Sequence, residues 1–368
     1  MLKSHAIGTA LLAVLCGLVV HQSPLLRAQT ASGSSSANDP KALLLAAAAA
    51  NSAPGADAKP WHAKISFTLN GTDGKPKSQG TFEEFWVAPD KIKLVYATST
   101  FNQVEYTTPA GIKRTGSRDS APWELMPILN KFLHPIPLDP TIIASSKVEM
   151  HSVKLGNVNL SCILITRTDL PVTIMRASSD GYCLDEAMSA LRMTITAAGT
   201  RRTTRNRIVR FQNRYLPQEI TEYLDMPGAN PKTMLTASLE KLEELAPADA
   251  AQLTPPADAV SPPKIVDLDE KTTKPQLALH PAPVYPPIAQ AAHVSGPVVS
   301  KIHIQTDGTI SFVGVVSGPP MLHQAAIDAI YKWTYKQFEQ NGEPVEVNTT
   351  ITIKFTCLEF PGPCSAVP

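Results

Sequence analysis

The side chains that could carry chemistry in this chain are its 5 cysteines and 9 histidines. Beyond the first 28 residues the cysteines are Cys162, Cys183, Cys357 and Cys364, and no Cys-x-x-Cys occurs among them. If the chain is exported, it enters an oxidising compartment where disulfides are the default state. The spacing favours Cys162 with Cys183 and Cys357 with Cys364, and the alternative is that one pair stays free. The histidines are scattered, so we predict no metal site and no cofactor.

Signatures of nucleophilic or phosphate chemistry are missing from the sequence. It has no Gly-x-Ser-x-Gly elbow, no glycine-rich loop ending in Gly-Lys-Ser/Thr and no His-Glu-x-x-His. Asp267, Asp269 and Glu270 are neighbours, but they lie in a proline-rich stretch without a scaffold to hold two carboxylates at a working separation. We therefore predict no catalytic residues.

The clearest secondary-structure pattern lies in residues 285–356. A short helix signal and Gly296 precede a strand, and Asp307-Gly308 favours a two-residue turn into a second, antiparallel strand. An amphipathic helix follows, with apolar positions Leu322, Ala325, Ala326, Ala329, Ile330 and Trp333. The last strand alternates, with Val345, Val347, Ile351, Ile353 and Phe355 facing inward and Glu346, Asn348, Thr350, Thr352 and Lys354 facing outward.

Motifs in this part of the chain carry a family resemblance. They are Tyr285-Pro286-x-x-Ala289, Gly296-x-Val298, Asp307-Gly308, Trp333-x-Tyr335 and Gly342-x-Pro344-Val345. Together, over residues 280–358 approximately, they resemble the TonB C-terminal domain. The resemblance implies a helix, a β-hairpin, a second helix and a third strand. It also implies that the third strand is a sheet edge where a peptide of an outer-membrane transporter adds as a further strand.

On this chain the implied edge consists of Thr349, Thr350, Ile351, Thr352, Ile353, Lys354 and Phe355. The sequence departs from the family just before the domain. The family's Gln-Pro-Gln-Tyr-Pro reads Ala282-Pro283-Val284-Tyr285-Pro286 here, so neither glutamine that touches the transporter peptide is present.

The N-terminal residues 1–28 have the pattern of a targeting segment. Lys3 precedes an apolar run over residues 6–20, and Leu26-Arg27-Ala28 offers a cleavage site. Because the run is shorter than the ~20 residues that span a bilayer, we favour a cleaved signal peptide over an inner-membrane anchor. Residues 29–58 are rich in Ala and Ser. Asp39-Pro40 predicts a helix start there, and a disordered tether is the alternative.

Residues 59–245 form a succession of predicted strands, interrupted by a helix pattern over residues 121–133, as in one large antiparallel sheet. Gly80-Thr81-Phe82, Trp86-Val87-x-Pro89-Asp90-Lys91, Tyr182-x-Leu184-Asp185 and Leu216-Pro217 give this part a resemblance to the LolA-like half-barrel of periplasmic lipoprotein carriers. That resemblance implies a concave apolar pocket with the wall residues Phe82, Trp86, Leu94, Tyr96 and Trp123. The alternative is that they are ordinary core aromatics and aliphatics.

Length and composition complete the predicted organisation. The 368 residues favour two domains, and the net charge of +1 gives no support to a nucleic-acid partner. Prolines concentrate in residues 246–284, which we interpret as an extended linker reaching at most ~120 Å at ~3.1 Å per residue. The predicted fold class is α+β: a curved antiparallel β-sheet domain with a capping helix, the linker, and the small α+β domain of residues 285–368.

Three functional hypotheses follow. The first is a periplasmic TonB-family protein that binds an outer-membrane transporter or another envelope protein and is linked to transmembrane transport. Energy transduction would require residues 1–28 as an inner-membrane anchor. The second is a carrier of a lipid or lipoprotein in the N-terminal domain. The third is a non-catalytic envelope scaffold.

The fate of residues 1–28 is testable by the mass of the N-terminal peptide. We expect the soluble periplasmic fraction to contain a chain that starts near Gln29, because the apolar run is too short for a stable span. Mass spectrometry of the soluble and membrane fractions measures this. A chain that starts at Met1 in the membrane fraction would contradict cleavage.

Overall fold

The computed structural model describes residues 39–53, 58–71, 73–122, 124–136, 140–166, 179–196, 201–225, 229–357 and 364–367. The predicted signal peptide or anchor over residues 1–28 lies outside them, and the described residues belong to one compact unit. Within the described ranges, no helix is both long enough and apolar enough to cross a membrane.

A 12-stranded antiparallel sheet is formed by the described residues before position 245. Its strands are β1 Trp61–Asn70, β2 Pro76–Ala88, β3 Lys91–Thr98, β4 Asn102–Thr108, β5 Gly111–Gly116, β6 Lys147–Leu155, β7 Val158–Thr166, β8 Ser179–Asp185, β9 Leu191–Thr196, β10 Arg201–Phe211, β11 Arg214–Leu224 and β12 Lys232–Glu244. Their order is β5-β4-β3-β2-β1-β12-β11-β10-β9-β8-β7-β6. Two meanders therefore join where β1 pairs with β12, which confirms the predicted large antiparallel sheet.

Three helices cover one face of this sheet: α1 Pro40–Asn51, α2 Met126–Leu133 and α3 Pro140–Ser145. The apolar side of α2 packs in one cluster with residues of β1 to β3, β11 and β12, and α1 packs beside α3 on β6 to β8. At the start of α1, the Asp39 carboxylate accepts a hydrogen bond from the Lys41 amide at 3.0 Å, and Pro40 takes the first helical position. The helix predicted after Asp39-Pro40 is thus confirmed.

The segment of residues 246–284 is not a free spacer, which corrects the expectation of an extended linker. It contains 3₁₀ helices at Pro247–Leu253 and Lys274–Gln276, β13 Ile265–Asp267, α4 Glu270–Thr273 and β14 Leu277–Leu279. Leu253 is 2% exposed against Phe85, and Val260 exchanges two backbone hydrogen bonds with Arg114 of β5, at 2.7 and 2.9 Å. The proline content suggested an extended chain. Instead, scattered apolar residues pack the segment against the two sheets.

The C-terminal domain has the predicted order of helix, hairpin, helix and strand, with short additions. Its elements are α5 Pro287–Ala291, β15 Gly296–Ile304, β16 Ile310–Ser317, α6 Pro320–Ile330, β17 Thr334–Tyr335, β18 Glu339–Gln340, β19 Glu343–Pro344, β20 Glu346–Cys357 and β21 Cys364–Val367. The main sheet has the order β13-β20-β15-β16, and β21 also pairs with β20. Leu322, Ala326 and Ile330 of α6 are buried against it.

The hairpin turn is longer than the two residues predicted. The Gln305 amide donates to the Thr309 carbonyl at 2.8 Å, which closes a three-residue loop. Gly308 has φ +83°, and a Cβ there would lie 2.0 Å from the Tyr335 carbonyl oxygen. Glycine is therefore required by both backbone conformation and close approach. The Asp307 carboxylate accepts the Thr309 amide at 2.8 Å and stabilises the loop.

Glu84 places a carboxyl group inside the core of the N-terminal sheet. Glu84 of β2 is 6% exposed, and its carboxylate accepts a hydrogen bond from Trp61 Nε1 at 3.0 Å, below the stacked rings of Trp61 and Trp86. Burial raises the pKa of Glu84 to about 7, although the bond from Trp61 opposes the shift. The neutral acid is therefore the form that the core accommodates.

Replacing Glu84 by glutamine is expected to stabilise the protein at pH 8. The unfolded chain loses the Glu84 proton near pH 4.5 but the folded chain only near pH 7, so stability falls as pH rises between these values. Glu84→Gln keeps an acceptor for Trp61 and should gain on the order of 3 kcal/mol at pH 8 and little at pH 4. Urea unfolding at both pH values measures this.

Glu83→Gln is the matched control for this experiment. Glu83 faces the other side of the sheet and bonds to Lys64 and His62, which hold its pKa below the usual range despite partial burial. Removing that charge should lower stability at pH 8. Equal effects of the two substitutions on stability at pH 8 would contradict the raised pKa of Glu84.

Candidate binding edge of the C-terminal sheet

The residues predicted as a binding edge lie in the middle of β20. Ile351, Ile353 and Phe355 are at most 2% exposed and face the core beneath α6, as predicted. Thr350, Thr352 and Lys354 alternate with them and are half-buried or exposed. Thr349 is buried with the inward set.

The strand is not an open edge, which corrects the sequence expectation. On the side opposite β15, Glu346 to Asn348 pair in parallel with β13, and residues 354–357 pair antiparallel with β21. The stretch between these two pairings contacts α4. The covering elements come from the predicted linker and from the chain end, and neither has a strand pattern long enough to be recognised in the sequence.

A carboxylate takes the place of a neighbouring strand at Thr352. The Thr352 amide donates to Glu270 Oε1 at 2.9 Å, and the Thr352 hydroxyl donates to Glu270 Oε2 at 2.9 Å. Thr273, 1% exposed, lies 3.3 Å from Thr349 between their hydroxyl oxygens. These contacts satisfy polar groups of β20 that an open edge would present to solvent.

The start of β20 is held by the loop that follows β5. Glu346, predicted to face outward, is 0% exposed because its carboxylate accepts hydrogen bonds from the amide and, at 2.7 Å, the hydroxyl of Ser120. His303 Nε2 lies 3.3 Å from Glu346 Oε2, and His303 Nδ1 donates to Asn348 at 2.7 Å. No local pattern predicts this contact, since Ser120 lies 226 positions from Glu346 along the chain.

The environment favours the charged forms of both groups in this contact. Burial alone would raise the pKa of Glu346, but the His303 ring 3.3 Å away and the hydrogen bonds from Ser120 hold it below its ordinary value. Burial alone would lower the pKa of His303, but the nearby carboxylate of Glu346 and the hydrogen bond to Asn348 raise it. Glu346 and His303 therefore form a largely buried ion pair over the pH range between their two ordinary values.

The motif residues of this domain have structural roles. Ala289 is 0% exposed under α6, Tyr285 donates its hydroxyl to the Val294 carbonyl, and its ring packs against Phe355. Trp333, 1% exposed, donates Nε1 to the Pro281 carbonyl at 2.9 Å. Pro286 precedes α5, and Gly296 has φ +142° next to Pro319.

Together these contacts fix α5, the hairpin and α6 around β20, in the element order that the motifs predicted. Residues 281–357 match the family of Gram-negative bacterial TonB protein C-terminal domains. The resemblance predicted for this part of the chain is confirmed, and β20 is the third strand of the TonB-like domain. No curated protein matches the chain.

Solved structures similar to the chain include a LolA superfamily protein from Nitrosomonas europaea, at 6% identity and a TM-score of 0.36, covering 55% of this chain and 92% of that protein. An outer membrane lipoprotein-sorting protein domain from Vibrio parahaemolyticus matches at 12% identity and a TM-score of 0.32, covering 53% and 90%. MucB matches at 14% identity and a TM-score of 0.28, covering 60% and 64%. At these identities and TM-scores, the similarities carry no argument about this chain.

The residues predicted to line an apolar pocket lie in the packed core. Phe82, Trp86 and Tyr96 are at most 7% exposed, and Leu94 packs against the same cluster, which includes Phe132 of α2. Trp123 lies outside the described residues. A cavity of about 670 Å³ instead opens among small polar side chains of β1, β2 and β12, including Ser66, Thr68, Thr81, Thr236 and Ser238.

Both predicted disulfides are present. Cys162 pairs with Cys183 across β7 and β8, and Cys357 pairs with Cys364 across β20 and β21. His293 lies near the second disulfide, with one ligand atom within 4.8 Å of both sulfur atoms. Because these cysteines are oxidised, they offer no thiolate to a metal ion. The second disulfide anchors β21 covalently to β20.

Replacing Glu346 by glutamine is expected to lower stability most between pH 4.5 and 6.5. The contribution of Glu346 is lost as pH falls below 4.5, because its folded pKa is depressed. That of His303 is lost as pH rises beyond 6.5 through its raised folded pKa. Glu346→Gln should cost about 2 kcal/mol in this window, measured by urea unfolding.

Glu343→Gln, at an exposed position of β19, is the matched control and should change stability little at any pH. A loss in Glu346→Gln that does not decline above pH 6.5 would show that the ion pair with His303 contributes nothing, and that only the bonds to Ser120 matter.

Proposed function

We propose that this protein acts in the cell envelope, facing the periplasm, and that its TonB-like domain binds an extended segment of an outer-membrane transporter or another envelope protein by strand addition beside β20. The observation that supports this most directly is the orientation of the Thr352 backbone. Its amide points away from β15 and is held by a side chain, not by a strand.

The register extends this orientation along β20. Residues two apart in a strand direct their backbone groups to the same side. The Glu346 amide donates to Lys264, the Asn348 carbonyl accepts from Leu268, and the Thr352 amide donates to Glu270, all on the side opposite β15. By its position in the strand, Thr350 also directs its backbone groups away from β15. A partner strand would therefore find a row of donors and acceptors with a strand's spacing.

The two faces of β20 would have different roles in such a complex. Ile351, Ile353 and Phe355 anchor the strand in the core and keep it straight against β15. Thr350, Thr352 and Lys354 lie on the accessible face, where they would contact alternate side chains of an added strand. Backbone hydrogen bonds would supply affinity, and this face would supply selectivity.

The N-terminal segment and the disulfides support the envelope location. Residues 1–28 have an export pattern, and both cysteine pairs beyond it are joined. Coupling to an energised inner membrane would further require those residues to stay as an anchor. Without it the domain is a periplasmic binding module.

Proline at Thr352 is expected to abolish partner binding while the domain stays folded. It removes an amide that points away from β15, so the pairing within the sheet is retained. Binding of the purified full chain to the native outer-membrane fraction should fall at least tenfold in a sedimentation assay, with folding checked by circular dichroism.

Thr352→Val is the matched control, because it keeps the backbone amide and removes only the hydroxyl, and we expect it to bind. Proline at Ile351 is unsuitable, since the register places its backbone groups toward β15. Undiminished binding by a folded Thr352→Pro protein would contradict strand addition at this edge.

A further inference from the structure

We propose that residues 264–273, here called the strap, are a built-in competitor that holds the β20 edge closed, so that a partner strand binds only when the strap is released. The strap consists of β13, α4 and the residues between and just before them. This inference rests on the proposed function, because it concerns access to the same edge.

The first part of the strap already performs strand addition in cis. Ile265, Val266 and Asp267 pair in parallel with Glu346, Val347 and Asn348. At the two ends of this pairing, the Glu346 amide donates to the Lys264 carbonyl at 2.9 Å and the Leu268 amide donates to the Asn348 carbonyl at 3.0 Å. A partner strand at these positions would need the same groups of β20.

The second part replaces strand hydrogen bonds with a side chain. Asp269 caps α4 by accepting the Thr272 amide at 2.8 Å, which starts the helix at Glu270. That start places the Glu270 carboxylate on the amide and the hydroxyl of Thr352. The amide is the donor that a partner's carbonyl would bind, so Glu270 and a partner strand exclude each other.

The strap is attached more weakly than the other cover of β20. The strand β21 is joined to β20 by the disulfide between Cys357 and Cys364. The strap has no covalent bond to β20, pairs through only three residues, and leaves Ile265 40% exposed. Local opening selects segments with few buried contacts. The strap, and not β21, is therefore the cover that can leave.

Both flanks of the strap are fixed, so a released strap would stay close to the edge. Upstream, Val260 is paired with Arg114, and downstream, Leu277 of β14 is paired with Tyr335 of β17. A tethered competitor acts at high effective concentration. The closed state is thus the resting state, and the strap recloses after a partner leaves.

A disulfide between the strap and β20 tests this directly. Asp267 and Asn348 are direct partners in the parallel pair and both are exposed. Adjacent strands lie about 4.8 Å apart, a Cα separation that a disulfide spans. The oxidised Asp267→Cys, Asn348→Cys chain should bind the native outer-membrane fraction at least tenfold more weakly than its reduced form.

The controls are wild-type protein in the same reductant, which reports any effect of opening the native disulfides, and Asp267→Cys alone, which cannot form the lock. Undiminished binding by the oxidised double variant, when Thr352→Pro abolishes binding, would overturn the strap and leave the proposed function standing.

Release of the strap is tested by Glu270→Ala, with Glu270→Gln as the matched control that keeps an acceptor for Thr352. Glu270→Ala should bind the same fraction several-fold more tightly than wild type, and Glu270→Gln should bind like wild type. Hydrogen exchange of the free chain gives a readout without a partner. The Thr352 and Leu268 amides should exchange at least tenfold faster in Glu270→Ala than in Glu270→Gln.

The binding and hydrogen-exchange measurements distinguish a failure of the proposed function from a failure of the strap. If neither wild type nor Glu270→Ala binds the outer-membrane fraction, the proposed function is overturned. Equal exchange rates in the two Glu270 variants would overturn the strap, whatever the binding result.

Discussion

The backbone groups along a sheet edge must find partners, and this constraint organises the molecule. At β20 the groups opposite β15 are taken by β13, by the carboxylate of Glu270 and by β21. At the β5 edge of the large sheet, Val260 supplies a two-bond bridge to Arg114. The segment of residues 246–284 thus supplies hydrogen-bond partners to the edges of both sheets. Its fold is set by the backbone groups of those edges that would otherwise be unpaired.

The other end of the large sheet meets the same constraint differently. Strand β6 is exposed along nearly its whole length, and Lys147, Glu149 and Lys154 place charges on it. Charged side chains discourage the pairing of edges between molecules. The protein therefore closes the edges next to its C-terminal domain with its own chain and protects the distant edge with charge.

Polar contacts, and not apolar packing alone, join the C-terminal domain to the large sheet. Ser120 and Asp119 follow β5, and they bond to Glu346, Gln305 and Thr306 of the C-terminal domain. A carboxylate such as that of Glu346 is stable when buried only if each of its oxygens accepts a hydrogen bond. Since Glu346 begins β20, the same contact sets where the strand starts and where β13 can pair with it.

The sequence by itself determined the local elements. Alternation fixed the inward side chains of β20, helical periodicity fixed α6, the capping signal at Asp39 fixed α1, and cysteine spacing favoured the pairs that are present. It also determined the match of residues 281–357 to the TonB C-terminal family. Such features depend on neighbours a few residues apart, or on motifs of known order, and can be read without knowing the fold.

Only the tertiary structure decided which groups meet across long separations. It buried Glu346 against Ser120, placed Glu270 on Thr352, closed the edge predicted as open, and filled the space above Phe82 and Tyr96 with α2. Each contact joins residues whose local patterns are unremarkable: a solvent-facing strand position, a short acidic run, a proline-rich stretch. Their roles depend on which residues lie close together in the folded chain, and a local sequence pattern does not show this.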